Sequence, residues 1–192
     1  MPNSTYFLMC DVQEKLVPTV LGSSEFCHRV QQLISLSKEM GIPLIVTEQY
    51  PKGLGKTVSS LDVSHAVILA EKTAFSMLVD SVLAALPDPR TTAIVLFGLE
   101  THICVLQTAV ELLERGFTVH LVADACSSRS QVDMQFALRR ISNAGAVLTT
   151  TEALLFELVK SKDSVHFPLL RQLCATRIPD HPALAAGSHS PL

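Results

Sequence analysis

Short apolar runs alternate with stretches of helical spacing along this chain, and that alternation is its main signal. Runs over 6–10, 43–46, 66–70, 93–97, 118–123 and 147–149 read as strands. Between them, apolar residues recur every three or four positions. Residues 26, 30, 33, 34 and 36 make one face of a helix over 26–40 that Gly41 ends, and 77–86 is a helix closed by Pro87 and Pro89. Further helices are predicted over 132–144, 152–159 and 165–175. The segment 47–55, with two glycines and a proline, reads as a loop.

The chain is organised around residues 93–109. Five apolar residues form a strand buried on both faces, and Gly98 lets the backbone turn. Ile103, Leu106, Val110 and Leu113 then fit one helical face, with Gly116 at the C-cap position. This spacing predicts a helix with Cys104 in its first turn, where unpaired N–H groups and the helix dipole favour a thiolate.

Strands alternating with helices imply parallel strands joined by right-handed crossovers. The expected fold is therefore α/β: a three-layer α/β/α, doubly wound, six-stranded parallel sheet of order 3-2-1-4-5-6. In that order strands one and four are neighbours, and the point between their carboxyl ends is where such sheets bind ligands. Asp11 follows strand one and Lys72 follows strand three, so both are expected on the rim that carries Cys104. Residues 1–176 are expected to form one domain, with 177–192 as a flexible or loosely docked tail.

Composition narrows the function. Hydrophobic residues are 48% of the 192 and charged residues 17%, which suits a well-covered sheet. The net charge of −3 with no basic cluster argues against a nucleic-acid partner. No apolar run approaches the roughly 20 residues of a membrane span. The first strand begins too early to leave room for a targeting segment, and the five cysteines show no CxxC pair. A cytoplasmic, reducing setting is expected.

The candidate chemistry is nucleophilic. Asp11 can take the proton of Cys104, Lys72 can keep that carboxylate ionised, and backbone N–H groups near Cys104 can hold an oxyanion. Each residue also has a plain structural reading: a buried cysteine packing a helix, a capping aspartate, a solvated lysine. Only their convergence raises them above it. Cys10, Cys27 and Cys174 read as core, whereas Cys126 is expected in a rim loop where it can line the pocket. His102 is two positions from Cys104 and would point away on a helix, which disfavours a Cys–His dyad. The histidines lack HxxxH or DxH spacing, so no metal site is expected. Gly53 and Gly55 match no phosphate-loop pattern and read as turn chemistry.

The segments around Asp11, 47–55, 72–76, 98–105 and 124–131 resemble the isochorismatase-like cysteine hydrolases, and the likeness covers residues 5–176. The resemblance implies an Asp–Lys–Cys triad at Asp11, Lys72 and Cys104. It also implies a cis peptide before Glu100 that turns the N–H groups of Glu100 and Cys104 toward an oxyanion. Gln13, Tyr50, Phe75, Thr101 and Cys126 are its pocket candidates. Metal-binding nicotinamidases carry Asp-x-His where this chain has Glu48-Gln-Tyr50, so no metal or other cofactor is implied. True isochorismatases lack the cysteine, so isochorismate is not the implied substrate. The expectation is a hydrolase of a small amide or related acyl compound, forming homo-oligomers. The alternative is a catalytically silent member that serves as a binding or scaffolding partner.

Overall fold

The structure, a computed structural model, describes residues 4–185. Six parallel strands form one sheet: β1 (Ser4–Cys10), β2 (Leu44–Gln49), β3 (Ile68–Lys72), β4 (Thr92–Leu99), β5 (Thr118–Ser127) and β6 (Val147–Thr149). Their order is β3-β2-β1-β4-β5-β6, the doubly wound arrangement expected. All eight residues of β4 are buried, as a central parallel strand covered on both faces requires. Edge strand β3 instead alternates exposed and buried positions from Leu69 to Lys72.

Eight α-helices are described: α1 (Ser23–Met40), α2 (Pro51–Leu54), α3 (Asp80–Ala85), α4 (Leu106–Glu114), α5 (Gln131–Asn143), α6 (Thr151–Val159), α7 (Phe167–Leu173) and α8 (Pro182–Ala185). Helix α1 packs with α6 and α7, while α4 packs with α5, so two helical layers enclose the sheet. Ser130 caps α5 by accepting from Asp133 N at 3.3 Å, and Thr150 caps α6 by accepting from Ala153 N at 3.4 Å.

Several boundaries moved for identifiable reasons. The apolar run at 66–70 opens in a turn, with Ala66 N donating to Val63 O, so β3 begins two residues later and includes Lys72. The segment 47–55 divides into the end of β2 and the single turn α2. The predicted helix 77–86 starts only at Asp80, because Met77 N donates to Thr108 Oγ1. Cys126 is not in a rim loop: β5 continues through Asp124 to Ser127, and Cys126 is a buried strand residue opposite Gly98. The strand survives its aspartate because Arg29 pairs with Asp124 at 2.9 Å and Thr151 donates to it twice.

Part of the expected tail is also docked. His181 and Ala183 are buried; Arg29 Nη2 donates to Pro179 O at 3.1 Å and Gln135 Nε2 to Ala183 O at 3.3 Å. Residues 186–192 lie outside the described chain.

Candidate active site

The site assembles at the carboxyl ends of β1, β3 and β4. Strands β1 and β4 run in register from Ser4–Thr92 to Cys10–Gly98. At that last pair Gly98 takes φ +124°, and a Cβ there would meet the Cys10 carbonyl and lie 2.7 Å from Cys10 N. Only glycine allows the strands to approach so closely at the mouth of the site.

Asp11 follows immediately, with φ +49°, outside strand geometry. This left-handed step breaks the alternation that would send neighbouring side chains to opposite faces. As a result the Cys10 sulfur, a carboxylate oxygen of Asp11 and the Cys104 sulfur all lie within 4.8 Å of one another. Both Asp11 and the Lys72 side chain are fully buried, and Lys72 Nζ meets Asp11 Oδ2 at 2.6 Å. The other oxygen, Oδ1, accepts from Thr47 Oγ1 at 2.7 Å.

Lys72 Nζ also donates to Gln49 Oε1 at 2.7 Å and to the carbonyls of Phe75 at 2.9 Å and Ala74 at 3.3 Å. Burial alone would push this lysine down. Neighbouring negative charge, with the Asp11 carboxylate hydrogen-bonded to it, outweighs burial and holds it above its ordinary value, so the ammonium stays charged. Burial pushes the Cys10 thiol well up, and its hydrogen bond with Cys104 adds to that rise. Cys10 therefore stays protonated beside Cys104, a residue 6% exposed.

Cys104 lies in a π-helical turn, Thr101–Val105, and not in the first turn of an α-helix; α4 begins at Leu106. The Glu100 carbonyl accepts from both Ile103 N and Val105 N, which widens the turn. The Cys104 carbonyl accepts from Thr108 Oγ1 at 2.7 Å, anchoring the turn to α4. The Leu99–Glu100 peptide is cis. The Glu100 carboxylate turns toward Arg129, accepting from its backbone N, Nε and Nη2 at 3.2, 3.1 and 2.8 Å.

The pocket candidates separate. Tyr50 and Phe75 are about half exposed, and both border Lys72: Tyr50 N donates to the Lys72 carbonyl, and the Phe75 carbonyl takes its ammonium. Gln13 is fully buried and ties β2 to the following loop, with Nε2 donating to Gln49 O and Gly55 O and Oε1 accepting from Gln49 N. Thr101 is buried, its hydroxyl donating to Ser127 O at 2.9 Å. Cys126 is fully buried, and burial drives its thiol to about 12. His102 hydrogen-bonds Ser128 Oγ at 3.0 Å, in keeping with a side chain unavailable to Cys104.

Sequence reasoning missed Thr47, Gln49 and Cys10. The first two sit on alternate positions of β2, and the register opposes Thr47 to Cys10 and Gln49 to Lys72. Their polarity at the end of an apolar run was the available signal. Cys10 gave none, because its neighbours mark it as core. The sulfurs of Cys10 and Cys104 and the Asp11 carboxylate also form the one group of metal-capable donors among the described residues, but the Lys72 ammonium already supplies positive charge there.

The structure defines a doubly wound α/β/α protein with a buried acid–lysine pair beside a cysteine, and comparison with known proteins identifies its family. The Isochorismatase domain matches residues 5–153, and the chain belongs to that family. Isochorismatase domain-containing protein 2 from Danio rerio is 42% identical over 181 residues, covering 93% of this chain and 90% of the relative. Isochorismatase domain-containing protein 1 from the same organism is 41% identical over 180 residues, 93% of this chain. This chain spans only 64% of that longer relative. Among solved structures, the MAR1 ribonuclease from Caenorhabditis elegans aligns with TM-score 0.88 and 39% identity, covering 100% of this chain and 96% of its own. The YcaC gene product of Escherichia coli, described as an octameric hydrolase of unknown specificity, aligns with TM-score 0.82 and 26% identity, covering 95% and 92%.

Proposed function

We propose that this protein is a metal-independent cysteine hydrolase of a small amide or related acyl substrate. The observation that carries the reading is a fully buried Asp11–Lys72 pair whose carboxylate lies within 4.8 Å of the Cys104 sulfur. Asp11 takes the Cys104 proton, and the sulfur attacks the substrate carbonyl. The N–H groups of Glu100 and Cys104 receive the oxyanion. As the intermediate collapses, ammonia or an amine leaves with the proton held by Asp11. Asp11 then activates a water that hydrolyses the thioester, releasing the acid and restoring the thiol. Lys72 orients the carboxylate and offsets charge throughout. Where metal-dependent relatives carry Asp-x-His, Glu48 is occupied by Thr57 N at 2.7 Å and Thr57 Oγ1 at 2.9 Å, and Tyr50 faces solvent. A homo-oligomer fits the octameric relative.

The test is an amide panel read by ammonia release, with intact-mass detection of the acyl-enzyme. Turnover of at least one amide is expected, falling by at least about 10³-fold in Cys104→Ala with no adduct. An adduct in that variant overturns the assignment. The MAR1 neighbour supplies a second reading, ribonuclease action, so a labelled RNA belongs in the panel. Cleavage that survives Cys104→Ala would favour it, against a net charge of −3. No turnover together with a Cys104 inert to iodoacetamide would favour the binding-partner alternative.

A further inference from the structure

Cys10 has no role in that reaction, yet its sulfur lies within 4.8 Å of the nucleophile. We propose that Cys10 is a resolving thiol for Cys104, so that the pair takes a small hydroperoxide and closes to a disulfide that stops hydrolysis reversibly. The inference rests on the reading of Cys104 as a reactive thiolate.

Three observations support it. The two sulfurs lie within 4.8 Å of one another, Cys10 at the end of β1 and Cys104 in the turn that follows the neighbouring strand β4. Exposure is unequal: Cys104 is slightly open and Cys10 is fully buried, so an oxidant meets Cys104 first. The Asp11 carboxylate shares the cluster and Lys72 supports it with an ion pair, so the site holds both a proton acceptor and a balancing charge. Cys27, Cys126 and Cys174 are also free thiols, and none belongs to this cluster.

The chemistry balances. The Cys104 thiolate attacks the distal oxygen of the hydroperoxide, the O–O bond breaks, and an alcohol (or water) leaves with a proton. The sulfur, oxidised by two electrons, becomes a sulfenic acid. Cys10 gives its proton to Asp11 and its sulfur attacks that of Cys104. The S–O bond breaks, and hydroxide leaves as water with that proton. Two thiols and one hydroperoxide become one disulfide, one alcohol and one water. A dithiol returns both cysteines to the reduced state.

The full chain is treated with hydrogen peroxide, alkylated and mapped by mass spectrometry. The wild type should lose two hydrogens, with tryptic peptides 1–15 and 91–115 linked, and dithiothreitol should restore Cys104 alkylation. In Cys10→Ser, Cys104 should gain two oxygens, and the fraction that dithiothreitol recovers should fall roughly tenfold. Cys10→Ala repeats the test should serine in the core disturb folding, and the linked peptides of the wild type need no variant. Equal irreversible oxidation in wild type and variants, or a linkage to Cys126, overturns the proposal. If Cys104 alkylates readily but never links to Cys10, only this inference fails; if it resists both alkylation and peroxide, the hydrolase reading fails with it.

Discussion

Among the described residues, Asp11–Lys72 and Asp124–Arg29 are largely buried ion pairs with a cysteine nearby, and the proposed hydrolysis uses only the first. At the cleft, Asp11 pairs with Lys72 and accepts one further hydrogen bond, from Thr47, which leaves it lone pairs beside Cys104. On the other side of β5, Asp124 pairs with Arg29 at 2.9 Å, and Cys174 lines the adjoining cavity of about 360 Å³ with both residues. There Asp124 Oδ1 is taken twice, by Thr151 N and Oγ1, so the carboxylate serves as a strap between β5 and α6. Burial raises the Cys174 thiol, and the charge of Glu152 raises it further. Residue types alone do not distinguish the two pairs; Asp11 keeps spare acceptor capacity within 4.8 Å of a sulfur.

Breaking the reactive pair should produce the larger effect. Lys72→Met leaves the Asp11 charge buried without its partner. The expected loss is about 3–5 kcal/mol of stability, with turnover per folded molecule down about 10²-fold or more. Chemical denaturation and kcat/KM measured on the same preparation check both, and full activity would remove Lys72 from the machinery. Asp124→Asn should cost about 2–3 kcal/mol by leaving Arg29 without a counter-charge. It should leave kcat/KM within about twofold, since no reacting group is touched. A large activity loss there would erase the distinction between the pairs. The smallest effect separates the cysteines: near pH 7, iodoacetamide should label Cys104 about tenfold faster than Cys174. Cys174 labelling should climb only as pH rises above the ordinary thiol range, about 8.5, because its raised value keeps it protonated below that. Peptide-resolved alkylation rates across pH decide it.

The architecture was legible because parallel strands buried on both faces leave unmistakable apolar runs, and the strand order then followed from connectivity rules. Asp11 and Lys72 were placed on the rim by the ends of such runs, and Cys104 by the change to helical spacing after Gly98. What stayed hidden depended on the backbone departing from regular geometry. The positive φ of Asp11 brings Cys10 to the cleft, and the π turn sets Cys104 ahead of α4. Cys126 was misplaced because Asp124 looked like a strand terminator, and the residues that neutralise it, Arg29 and Thr151, are distant in sequence. The docking of His181 against Ser127 Oγ is equally remote.

Gly98 has a consequence for anyone wishing to reshape this protein. Because the main chain of Cys10 fills the space a methyl group would need, the floor of the cleft cannot be remodelled there without prising two central strands apart. Substitutions meant to change specificity are better placed at half-exposed positions bordering Lys72, such as Tyr50 and Phe75.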